Sequence, residues 1–113
     1  MSRQIGSYQF PNPQPLSDAK PPKGVSGVYA ILVKSSPESE GAVRYVGSTS
    51  DLQSRVNWGH EKAKTLLREA GGKPDNVLVT WIEVGNRFRY LGIEKQLIAH
   101  FGSRLDNVER ETK

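Results

Sequence analysis

Residues 25–47 read VSGVYAILVKSSPESEGAVRYVG, and the patterning of this stretch decides the fold. Residues 25–33 form a β-rich apolar run of strand length. Residues 35–41 are polar, hold Pro37 and read as a turn. Residues 42–47 form a second short β-rich run. Two neighbouring strands joined by a short polar loop predict an antiparallel hairpin.

Downstream, Ser50 offers an N-cap for a helix that begins at Asp51, with Leu52 and Val56 on its inner side. Asn57-Trp58-Gly59 is placed to bend or break that helix. Residues 60–70 read as helix again, with Ala63, Leu66, Leu67 and Ala70 inward, stopped by Gly71-Gly72. Residues 77–84 form a strong strand, with Trp81 read as core. Asn86 can cap a helix over residues 87–101, and Gly102 is its expected C′ residue. Upstream, Pro11, Pro13, Pro15, Pro21 and Pro22 exclude a regular helix or central strand from residues 1–23. That segment reads as an extended Pro-rich arm, either packed through Tyr8, Phe10 and Leu16 or loose. The folded domain is expected over residues 24–113. The order β-β-α-(α)-β-α predicts an α+β fold: a small three-stranded, mostly antiparallel sheet flanked by helices.

The totals bound the function. A length of 113 residues fits one domain with one modest core. Cysteine is absent, which excludes disulfides, thiolate metal sites and cysteine nucleophiles. No apolar run approaches the length of a membrane span, and the N-terminus lacks the apolar stretch of a signal peptide. The expectation is therefore a cytoplasmic protein without a membrane partner. Sixteen Lys and Arg against twelve Asp and Glu leave a net charge of +4, which favours an anionic partner.

One residue conflicts with its surroundings. In the helix over 87–101, Tyr90, Leu91, Leu97, Ile98 and Phe101 form an apolar stripe, and Glu94 falls in the middle of it. Asp and Glu are almost never fully buried unless paired, so this carboxylate calls for a cation: an Arg or a metal. Mg²⁺ prefers hard oxygen ligands and often takes one or two carboxylates with waters and phosphate oxygens. Elsewhere, Tyr29 and Tyr45 can reach one face of the hairpin, depending on register. Arg55 lies just off the Leu52/Val56 stripe, where its fork of donors can reach the sheet edge and a phosphate. Asn107 sits in a late polar turn.

This set resembles the GIY-YIG nuclease superfamily. Gly27-Val28-Tyr29 looks like the GIY element and Tyr45-Val46-Gly47 like the YIG element. The run from Tyr45 to Arg55 is similar to the segment that carries the family's helical arginine. Glu94-Lys95-Gln96-Leu97-Ile98 looks like its metal-binding Glu motif, and Asn107 falls where the family has a late Asn. Together the motifs span about residues 24–107. One departure exists: many members carry His or Tyr four residues after the arginine, whereas here Gly59 holds that place and His60 follows it.

The resemblance implies Mg²⁺- or Mn²⁺-dependent phosphodiester hydrolysis of nucleic acid, with DNA expected. It assigns Glu94 to the metal and Arg55 to the charge developing on the phosphate. Tyr29, helped by Tyr45 or His60, would accept or relay the proton of the attacking water. Lys62, Lys64, Arg68, Arg87 and Arg89, with Arg104 and Arg110, are candidates for a phosphate track. No separate DNA-reading domain is evident, so specificity would come from the N-terminal arm, a homodimer or a partner protein. A small stand-alone nuclease of bacterial or phage type is the expectation. The alternatives are a non-catalytic nucleic-acid-binding module and a nuclease subunit active only with a partner.

Overall fold

The computed structural model describes residues 2–36, 38–57 and 62–105. The anticipated hairpin is present: β4 (Gly27–Val33) pairs antiparallel with β5 (Ala42–Thr49). β6 (Val77–Glu83) flanks β4 on its other side, also antiparallel. All seven residues of β4 are buried. A central strand covered on both faces must be apolar throughout, which is why residues 27–33 lack the polar alternation of a half-exposed strand.

The sheet has four strands rather than three. β3 (Gln14–Pro15) pairs antiparallel with β6 and gives the order β3-β6-β4-β5. A two-residue strand carries no periodicity, so sequence patterning could not mark it. Its proline is tolerated because β3 lies at the edge, where a missing N–H breaks no inner ladder. Before it, β1 (Ser2–Ile5) and β2 (Tyr8–Pro11) form a separate two-stranded ribbon. Gly6 opens its two-residue turn at φ +60, a conformation that favours glycine. The arm is anchored at several points. Of the two alternatives, the packed one fits: Phe10 and Leu16 are buried, and so is Ile5. The half-buried Tyr8 donates its hydroxyl to Gln96. Thr80 donates to the Pro11 carbonyl at 2.6 Å.

Alternation along β4 feeds two cores. Tyr29, Ile31 and Val33 pack with Tyr45, Leu52, Val56, Ala63 and Leu66 on one face. Val28, Ala30 and Leu32 pack with Val46, Tyr90, Ile93 and Leu97 on the other, where Ile5 and Phe10 join them. Trp81 is only partly buried, beside the first core. Its neighbour across the ladder is Tyr29.

The helices follow the sequence with local corrections. α1 (Leu52–Arg55) is a single turn. Ser50 does not cap it; Asp51 occupies that position and makes no side-chain cap bond. Thr49 at the strand end instead accepts the Asp51 N–H through its Oγ1 at 3.0 Å. The Leu52 N–H donates to the Val25 carbonyl at 2.8 Å, which ties α1 to the approach of β4. α2 (Ala63–Glu69) buries Ala63 and Leu66 and ends at Gly71-Gly72, both at positive φ. α3 (Arg87–Phe101) matches the anticipated helix at both ends. Asn86 accepts the Arg89 N–H, and Gly102 follows at φ +58.

Gly27 is where the sheet admits no side chain. A Cβ there would lie 1.9 Å from the Ile82 carbonyl oxygen of β6. Backbone cannot move aside as a flexible side chain can. Gly27→Ala is therefore expected to lower unfolding free energy by about 2 kcal/mol or more, read by denaturant titration.

Candidate active site

The site is organised by the C-terminal half of β5, a free edge of the sheet. Tyr29 and Tyr45 share one face, as the hairpin register allows: Tyr29 pairs with Gly47, and Tyr45 with Ile31. Their rings stack with centroids 6.0 Å apart and planes 26° from parallel. The Tyr29 ring lies across Gly47. A Cβ at Gly47 would meet Tyr29 Cζ and Oη at 2.6 Å. Glycine is thus what lets the phenol reach the sheet edge. The Tyr29 hydroxyl bonds with both the Arg55 guanidinium and Tyr45. Arg55 itself is exposed, at the last position of α1. Its fork is held at one end by the phenol while the residue remains open to an incoming anion.

Glu94 comes from the opposite layer. It is 6% exposed on α3. Ser48 donates its hydroxyl to Glu94 Oε1 at 2.6 Å. Ser48 pairs with Val28, so alternation turns it toward the second core, away from Tyr29. The carboxylate and the phenols therefore approach the β5 edge from its two faces, at the adjacent residues Ser48 and Gly47. The apolar stripe also needs correcting. The buried residues of α3 are Tyr90, Ile93, Glu94 and Leu97, while Leu91 is 41% exposed. Ile98 and Phe101 pack against the same core, so Glu94 stays inside the stripe while Leu91 falls outside it. A carboxylate buried in this stripe bears a desolvation cost, which the Ser48 hydrogen bond offsets in part.

Burial pushes the Tyr29 phenol well above the usual tyrosine range, and the neighbouring Tyr45 adds to the rise. The Arg55 charge and hydrogen bond act in the other direction but are outweighed. The net direction is upward, and Tyr29 is neutral at physiological pH. An unperturbed phenol ionises near about pH 10. Replacing Tyr29 with Phe is accordingly expected to leave the ultraviolet phenolate titration unchanged up to about pH 11. A lost step near pH 10 would contradict this.

The GIY-YIG catalytic domain family matches residues 25–107. The chain belongs to the GIY-YIG family. No curated relative and no solved structure matches it. The match covers the tyrosine hairpin, α1 and the Glu94 helix, and GIY-YIG domains are nuclease domains, whose substrate is nucleic acid.

Several anticipated residues of this GIY-YIG domain lie apart from the pair of tyrosines. Lys64 and Arg68 are exposed on α2 and Lys62 is half-buried just before it. Arg87 and Arg89 are exposed in the first turn of α3. These cations are divided between helices on the two faces of the sheet. His60, Asn107, Trp58 and Arg110 lie outside the described residues. Among the described residues no group of three or more His, Cys, Asp or Glu could hold a metal ion. No described helix is long and apolar enough to cross a membrane. Sequence reading does not mark Ser48, because a strand serine carries no periodic signal. Nor does it mark Phe88, 88% exposed between Arg87 and Arg89.

Proposed function

We propose that this GIY-YIG domain is a divalent-metal-dependent endonuclease that cuts DNA, with Mg²⁺ or Mn²⁺ as the ion. The observation that carries the reading is the convergence at Gly47–Ser48 of Arg55-bound Tyr29 on one face and Ser48-bound Glu94 on the other. A single carboxylate suits an ion that keeps most of its ligands as water and phosphate oxygens. Such an ion on Glu94 would neutralise charge on the phosphate and stabilise the leaving oxygen.

The chain's own residues supply the rest. Arg55 directs donors at the phosphate oxygens, where charge grows in the transition state. Tyr29 anchors that guanidinium, which keeps the donors in place before substrate arrives. A neutral phenol is a poor base, so Tyr29 orients the attacking water through its hydroxyl, and the water's proton leaves to solvent. Tyr45 stacks under Tyr29 and fixes its ring. His60 and Asn107 are proposed as supporting groups on their sequence positions alone. Lys62, Lys64, Arg68, Arg87 and Arg89 are proposed phosphate contacts, which would make binding salt-sensitive and independent of sequence.

Nicking of supercoiled plasmid is the test. Cutting is expected with Mg²⁺ or Mn²⁺ and should stop when EDTA is added. DNA binding without metal-dependent cutting would reassign the chain to a binding module. Activity only after a second protein is added would make it a partner-dependent subunit.

A further inference from the structure

We propose that a second anion site, at the other end of β5, binds a backbone phosphate of the nucleic acid away from the bond being cut. A cleft of about 740 Å³ lies between the β1–β2 ribbon, the start of β5 and the C-terminal end of α3. Arg3, Arg44, His100 and Arg104 line it, and among the described residues no Asp or Glu does. The inference rests on the nuclease reading only for the identity of the anion; the cation cluster stands without it.

The cations are oriented by the fold. Arg3 donates to the Gly41 carbonyl at 2.6 Å and to that of Glu40. Arg104 donates to the carbonyls of Phe101 and His100 at 3.2 and 3.3 Å. Its guanidinium carbon stands 5.3 Å from the centroid of the Phe101 ring, and the His100 ring meets Phe101 edge-on at 4.9 Å. A helix C-terminus repels anions through its unsatisfied carbonyls. Arg104 covers two of these, which removes the repulsion and leaves a positive charge there. Arg44 is the extra residue of the β5 bulge and pairs with Glu69, so Arg3 and Arg104 carry the positive charge of the site. A guanidinium has five donors, so Arg3 and Arg104 retain capacity for phosphate oxygens.

Position links the cleft to cutting. Val43 lines it, and Gly47 lies four residues further along the same edge strand. That spans about 13 Å of strand, a distance that one nucleic-acid backbone can bridge. A backbone following this edge would reach both places. Arg3 precedes the family match at residues 25–107, so the N-terminal ribbon adds a contact that the catalytic domain alone would lack.

The test is fluorescence anisotropy of a labelled duplex of about 20 base pairs with the full chain in EDTA, between about 50 and 200 mM salt. Arg104→Glu is expected to weaken binding by roughly tenfold or more and to make the plot of log affinity against log salt shallower by about one. Arg104→Lys should keep the wild-type salt slope, because the charge remains, but recover only part of the affinity, because Lys cannot bond both carbonyls or stack on Phe101. Lys73→Glu changes the charge equally on an exposed loop outside the cleft and should shift affinity far less. If Arg104→Glu fails to fold by circular dichroism, Arg3→Gln replaces it with the same expected change in slope. Equal effects at Arg104 and Lys73, or an unchanged slope, would overturn the proposal. So would loss of inorganic-phosphate binding in Arg104→Glu with duplex binding intact, since the cleft would then hold a free phosphate. Plasmid nicking separates the two readings. Cutting with an unchanged slope sinks the cleft alone. Slope loss without any cutting by wild type sinks the nuclease reading alone.

Discussion

Glu94→Gln is expected to lower DNA cleavage by about two orders of magnitude or more while the chain stays folded. The substitution keeps the side chain's shape, and its Oε1 can still accept the Ser48 hydroxyl that anchors Glu94 at 2.6 Å. Its burial in the α3 stripe is likewise unchanged. What disappears is the negative charge. A hard divalent cation loses its carboxylate, and with it the stabilisation of charge at the phosphate, for which losses of about 10²–10³ per group are typical. Cleavage rates under saturating Mg²⁺, beside thermal melts of both proteins, provide the measurement. Equal melting with equal cutting would remove Glu94 from the mechanism.

Gly47→Ala should be nearly as damaging to activity, through a residue that performs no chemistry. The new Cβ would stand 2.6 Å from Tyr29 Cζ and Oη and 2.9 Å from Cε1. A ring stacked on Tyr45 cannot shed such a contact by rotating its far end; the whole phenol must shift. Arg55 then loses the hydrogen bond that orients it. Activity is expected to fall by about 100-fold, with stability reduced by about 1–3 kcal/mol from overpacking. Tyr29→Phe leaves the ring in place but removes the hydroxyl. If both substitutions act by uncoupling Tyr29 from Arg55, their effects on cleavage will be strongly non-additive in the double variant. Additive losses would mean that Gly47 matters for some other reason.

Much of this was legible in the sequence where periodicity and local chemistry agree. The α3 boundaries follow from the Asn86 cap, the apolar spacing and Gly102. The pairing of β4 with β5 follows from two β-rich runs and a polar loop. What stayed hidden depends on contacts between distant segments. The fourth strand is two residues long and exists because β6 offers an edge. The β1–β2 ribbon needs α3 to bury Ile5 and Phe10. Tyr29 shows the limit for chemistry. Its arginine neighbour is visible from spacing, yet whether burial or that charge dominates its ionisation depends on how deeply the sheet encloses the ring. Glu94 was identifiable as an anomaly, but its partner Ser48, set by strand register, was not. The make-up of the stripe also needed the helix to be seen against the sheet, since Leu91 and Ile93 are equally apolar and only packing decides which faces inward.

The most direct measurement is Mn²⁺ binding, read by electron paramagnetic resonance, to the chain holding a non-cleavable phosphorothioate duplex. The account predicts about one tightly bound ion per wild-type chain and none in the folded Glu94→Gln variant. Undiminished binding in the variant would show that the cation is held elsewhere and would contradict the proposed site.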